Sequence, residues 1–181
     1  MDLLAALSSM KPRDGDEVPV FVETPAGSRH KYDLDHDLGL MRWSLELPLG
    51  VTFPFSFGFV PGTLADDGDP LDICLLLDGT VPAATVVDAT LIGVLRAEQD
   101  EDGTMVRNDR VVAVATLSRR FANVRSLADL PEGSVEDMAR FFVSYNDAIG
   151  RTFRCIGRGG REEAYEMLDV AVRQADKGEK S

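Results

Sequence analysis

Asp66-Asp67-Gly68-Asp69-Pro70-Leu71-Asp72-Ile73-Cys74-Leu75-Leu76-Leu77 joins four carboxylates in one short turn to a mostly apolar run. Carboxylates brought within a few ångströms cannot all stay ionised, so at least one pKa must rise. A bound divalent cation inverts that logic, because it becomes the largest local charge. Gly68 and Pro70 bend the chain sharply enough for alternate acids to converge on one point. Leu71–Leu77 reads as a short buried strand, which seats the acidic turn on a rigid edge. An EF-hand fails here. Asp67, Asp69 and Asp78 fall at its first, third and twelfth positions, but Asp72 stands at the sixth, where the loop needs glycine, and Pro70 interrupts it.

Working outward, Val18–Glu23 alternates apolar and polar residues, and Pro25-Ala26-Gly27-Ser28 reads as a turn. Lys31–Asp35 and Leu40–Leu45 follow as strands, and Phe53–Pro61 carries an aromatic ring at alternate positions, as a bent strand would. Strong strand patterns recur at Val86–Ala97 and Val111–Ala115, with Asp102-Gly103 marking a hairpin turn between them. Short strands at regular spacing with Gly and Pro punctuation favour a small barrel over a βαβ fold. The last third changes period. Ser134 can cap a helix that carries Met138, Phe141, Phe142, Tyr145 and Ile149 on one face and stops at Gly150. A second helix is expected from Glu162 to about Ala175.

A chain of 181 residues, 44% hydrophobic and 28% charged, is expected to form one domain over 17–176, with an N-terminal arm (1–16) and a polar tail (177–181). The net charge of −12, from 31 acidic and 19 basic residues, excludes nucleic-acid backbone binding as the primary role. It leaves room for small anions, provided metal ions or local cations stand between them and the field. Cys74 and Cys155 lie far apart in apolar stretches and read as reduced thiols. No stretch approaches a membrane span, and the opening MDLLAALSSMKPRDGDE lacks a basic leader and has too short an apolar piece for a secretory signal. The expected location is the cytoplasm.

Asp67-Gly68-Asp69-Pro70-Leu71-Asp72 resembles the signature of the soluble inorganic pyrophosphatases, the magnesium-using single-barrel family. The resemblance extends through Phe57–Asp66 and back to Val22–Asp33. It continues collinearly through Ile92–Leu95, Val111–Val114 and Arg140–Tyr145, over roughly residues 18–170. It implies an α+β, mostly β fold: a five-stranded OB-like closed barrel flanked by two C-terminal helices. It also implies hydrolysis of pyrophosphate by water attacking in line, with Mg2+ or another divalent cation neutralising phosphate charge. Carried over, Asp67 and Asp72 are expected to hold metal, with Glu23 across the site. Asp69 is expected to accept the proton of the attacking water. Lys31, Arg42, Arg110 and Tyr145 are expected to contact phosphate, and a homo-oligomer, commonly a hexamer, is the implied assembly.

The sequence departs from the family at several points. Phe57 stands for a tyrosine, Asp33 for a glutamate and Asn146 for a lysine, and residues 47–50 are inserted. Two further aspartate ligands and a lysine are usual after Leu95. Alignment on Val111–Val114 puts Asn108 at the second aspartate and Arg110 at the lysine, with the first near Gln99 or Asp100. Asp100 and Asn108 are therefore the expected remaining metal ligands. Asp109 could replace the lost carboxylate only through a bulge, because strand neighbours face opposite sides. A non-catalytic pyrophosphate- or metal-binding homologue and a hydrolase of another phosphoanhydride are the alternatives.

Overall fold

The computed structural model describes residues 2–178. Nine strands and three helices follow one another as α1 (Leu3–Ser8), β1 (Val18–Thr24), β2 (His30–Asp35), β3 (Leu40–Glu46), β4 (Ser56–Phe59), β5 (Asp72–Leu76), β6 (Thr85–Glu101), β7 (Thr104–Arg107), β8 (Arg110–Ala115), α2 (Ser134–Ala148), β9 (Phe153–Gly159) and α3 (Arg161–Gly178). Hydrogen bonds run β1–β4–β5–β8–β6 and return from β6 to β1, closing a ring through five strands. Only the β5–β8 pairing is parallel; the others in the ring are antiparallel. This is the OB-like closure expected from the sequence.

The 17-residue β6 makes closure feasible. Its first residues pair with β1, its middle with β8, and its far end with β7 and β9. A register shift between Leu91 and Gly93, within its pairing with β8, bends it on its way round the ring. β1 is buried along its whole length, Pro19 and Glu23 included, so the expected polar face is covered rather than solvated. The cover is α1: Leu7 joins Phe21, Leu34 and Phe59 in a cluster flanked by Leu3, Leu4, Met10 and Met41. The N-terminal arm thus caps its own domain. At Gly58 the backbones of β1 and β4 approach so closely that a Cβ would lie 2.0 Å from the Phe21 carbonyl oxygen.

The ring buries two apolar faces. Ile73, Leu75, Leu91, Val111 and Ala113 pack with Ala164, Leu168 and Ala171 of α3. Cys74, Ile92, Val112 and Val114 pack with Phe53, Phe55, Phe57 and the Met138, Phe141 and Phe142 stripe of α2. Both cysteines are free thiols. β7 and β9 were not expected as strands; both pair with the far half of β6. The Phe53–Pro61 segment forms a strand only over Ser56–Phe59. α3 reaches Gly178, so the polar tail begins as helix, and its residues 179–181 lie outside the described residues. No described helix is long and apolar enough to cross a membrane.

Candidate active site

The acidic turn is the end of a closed loop. Val60 N–H donates to the Leu71 carbonyl (3.1 Å), and the buried Thr63 hydroxyl accepts from Leu71 N–H (2.9 Å) while donating to the Val60 carbonyl (2.6 Å). Inside it, Ala65 N–H bonds the Asp69 carbonyl (2.7 Å), and Gly68 at φ +89° supplies the left-handed residue that brings the chain back. Asp69 N–H donates to Asp67 Oδ1 (3.1 Å). Leu64 N–H bonds the Ala171 carbonyl and Gln174 Nε2 bonds Asp66 Oδ1 (2.7 Å), which moors the turn to α3 and commits Asp66 to that side.

Asp67, Asp69 and Asp72 face a cleft of about 380 Å³ whose other walls are β1–β2, the end of β6, the start of β8 and α2. Glu23, Lys31, Asp33, Asn108, Arg110 and Tyr145 line it, together with Gln99, Glu101 and Arg151. Six carboxylates therefore face three cations, a surplus that calls for added positive charge. Glu23 shows the strain most clearly. Burial, aided by the charges of Asp33 and Asp72, pushes its pKa up to about 8, against the Leu34 N–H that bonds its Oε1 at 2.7 Å. Burial likewise raises Asp72 despite Arg110 and Lys31. Lys31 pairs with Asp33 at 2.6 Å; burial alone would lower its pKa, and Asp33, Tyr145 and Glu23 together more than reverse that. Burial raises the Tyr145 phenol, which packs against Phe53 and Phe141.

Two expected residues are not brought to this cleft. Arg42 lies on β3 of the hairpin, its side chain 61% exposed and paired with Asp35. The register puts Leu45, not a cation, opposite Lys31. Asp100 points the other way from Gln99 and Glu101, as alternation on β6 demands, and its Oδ1 accepts from Gly103 N–H in the β6–β7 hairpin (2.8 Å). Gln99 is the cleft-facing residue at that end. Asn108 does face the cleft, and Asp109 does not replace it: Asp109 Oδ1 accepts from Ala97 N–H (2.9 Å) and Arg107 (2.6 Å) on the opposite side. Phe57 offers a ring instead of a hydroxyl, 5.7 Å from the Arg110 guanidinium, and Asn146 is buried with Nδ2 bonded to the Phe142 carbonyl (2.8 Å). Arg151 was missed in the sequence; its only local mark is its place just beyond the end of α2.

Among the described residues, no three His, Cys, Asp or Glu side chains already stand arranged to hold a metal ion. The donor chemistry nonetheless fits one. The oxygens are hard, Asp67 and Asp69 are on an exposed turn free to rotate inward, and buried Glu23 lacks a sufficient counter-charge.

A profile of the inorganic pyrophosphatases matches residues 20–176 of this chain. The chain belongs to the inorganic pyrophosphatase family. The inorganic pyrophosphatase of Sulfolobus acidocaldarius is 31% identical over 91% of this chain and 94% of its own. The crystal structure of the Thermus thermophilus inorganic pyrophosphatase superposes with a TM-score of 0.86 at 28% identity, over 94% of this chain and 98% of that one. The Helicobacter pylori enzyme gives 0.82 at 29% identity, over 90% and 95%. This pyrophosphatase family uses divalent metal, in keeping with the carboxylate surplus of the cleft.

Proposed function

We propose that this cleft hydrolyses inorganic pyrophosphate to two orthophosphates with Mg2+ as the cofactor. The chain's membership of the inorganic pyrophosphatase family makes it an inorganic diphosphatase, a hydrolase acting on a phosphoanhydride. The observation that carries the site reading is the closed 60–71 loop aiming Asp67, Asp69 and Asp72 into one cleft with Lys31, Arg110 and Tyr145. Asp67 and Asp72, the latter through the Oδ1 that Arg110 does not engage, would hold the ion on one wall and Glu23 on the other. A bound divalent cation neutralises phosphate oxygens and lowers the pKa of an attacking water.

Asp69 takes the proton of that water. Its backbone N–H is bonded to Asp67 Oδ1, which keeps the two residues together in the turn that faces the cleft. Lys31 and Arg110 meet the phosphate oxygens, and the negative charge that develops on the bridging oxygen at departure is stabilised by these fixed cations. Tyr145, kept protonated by burial, donates a hydrogen bond to the leaving phosphate. The cytoplasm and a homo-oligomer are the setting this reading assigns, by resemblance to the family.

The test is phosphate release from pyrophosphate with Mg2+, compared with Asp69→Asn. Loss of a correctly placed general base is expected to cost about 10²–10⁴-fold in kcat. No release by the unmodified chain with any divalent metal would overturn the reading.

A further inference from the structure

The cleft contains a run of side-chain hydrogen bonds that pyrophosphate hydrolysis does not by itself require. Asn108 Nδ2 donates to Gln99 Oε1 at 3.2 Å. Arg110 Nη1 donates to Asn108 Oδ1 and to Asp72 Oδ2. Gln99, Asn108 and Arg110 are only 8%, 9% and 9% exposed. The polarity of the run is set by chemistry. A guanidinium can only donate, so Asn108 must turn its oxygen to Arg110 and its nitrogen to Gln99, which must answer with its oxygen. The guanidinium also lies 5.7 and 5.6 Å from the Phe57 and Phe142 rings, and its buried Nε has no acceptor. It is held by two ring faces, the Asn108 amide and the Asp72 carboxylate.

An amide oxygen already spent on a guanidinium is a poor metal ligand, and the adjoining positive charge repels a divalent ion. We propose that Gln99 and Asn108 are positioning residues for Arg110, and that the Arg110 guanidinium is a built-in cation at the Asp72 side of the cleft. The site consequently takes one divalent ion fewer than it would with carboxylates at 99 and 108. This rests on the reading of the cleft as the pyrophosphate site, and it reassigns Asn108 from metal ligand to support.

The experiment counts tightly bound Mn2+ per chain by electron paramagnetic resonance titration, without substrate, beside steady-state kinetics on pyrophosphate. Asn108→Ala and Gln99→Leu are expected to leave the count unchanged, and Gln99→Asp with Asn108→Asp to raise it by one. If the double variant fails to fold, Asn108→Asp alone must show the gain. Gln99→Leu is expected to lower kcat by about 2–10-fold, the worth of one hydrogen bond, with KM altered less, because Arg110 acts on charge that develops in the transition state. A metal ion lost in Asn108→Ala, no gain in the carboxylate variants, or a Gln99→Leu effect on KM alone overturns the proposal. An unmodified chain that releases no phosphate overturns the pyrophosphatase reading instead, and the Mn2+ counts then judge the positioning run separately.

Discussion

Replacing Arg110 by methionine keeps a long apolar stem against Phe57 and Phe142 and removes the charge. The Arg110 and Asp72 side chains are 10% and 26% exposed, so the pair is largely withdrawn from water. Removing one partner of a fully buried ion pair costs about 3–5 kcal/mol, because the other charge is left uncompensated. Asp72 keeps some water and can protonate, its pKa being pushed up already by burial. The loss should therefore fall at the lower end, about 3 kcal/mol, or roughly 6–12 °C in Tm for a chain of this size. A divalent ion binding the freed Asp72 should return part of it, since an ion at about a hundred times its Kd stabilises by about 2.7 kcal/mol. Urea unfolding with and without Mg2+ measures both quantities. Mg2+ is expected to raise the midpoint more in Arg110→Met than in the unmodified chain. A loss below about 1 kcal/mol, or equal Mg2+ increments in the two proteins, would refute the view of Arg110 as the counter-charge of Asp72.

Lys31→Ala should lower kcat/KM by about 10–150-fold, the worth of one charge-assisted hydrogen bond, while Arg42→Ala, outside the cleft, should change it less than about 2-fold; parallel kinetics on pyrophosphate decide between them. Gly58→Ala must push β1 and β4 apart to place a Cβ 2.0 Å from a carbonyl oxygen, and a Tm lowered by at least the equivalent of about 1–3 kcal/mol is expected by calorimetry. Asp78 Oδ2 accepts from the backbone N–H groups of Arg120 and Arg119 and from the Ser118 hydroxyl, which hold its pKa below the usual carboxylate value. A depressed folded pKa means that its stabilisation is complete above about pH 4 and is lost as pH falls through the lower folded value. Urea midpoints of the unmodified chain and of Asp78→Asn should differ at pH 5 and converge towards acid; a gap that persists at the acid end counts against this.

Local chemistry carried most of the architecture into the sequence. The acidic turn, the apolar strand behind it, the Asp102-Gly103 hairpin and the two C-terminal helices each depend on residues a few positions apart, so their patterns survive in one dimension. The inward set Asp67, Asp69 and Asp72 was legible for the same reason. β9 was not: Phe153-Arg154-Cys155-Ile156-Gly157-Arg158-Gly159 has two glycines and little apolar alternation, and becomes a strand because the edge of β6 offers it hydrogen bonds. The burial of β1 on both faces was equally hidden, since its outer cover comes from α1.

The far wall of the cleft marks the boundary between the two kinds of information. The sequence by itself determined that an amide, Asn108, would stand where the family pattern has its second aspartate, and that a cation would stand at 110. Only the tertiary structure decided which of those residues face the site. Alternation on β6 turns Gln99 in and Asp100 out, alternation into β8 turns Asn108 and Arg110 in and Asp109 out, and the Arg42 side chain, although its backbone stands opposite Asp33, turns along the hairpin to Asp35. The physical reason is the period of two along a strand: a shift of one residue exchanges the faces, and the pairing that sets the shift lies with partners distant in sequence.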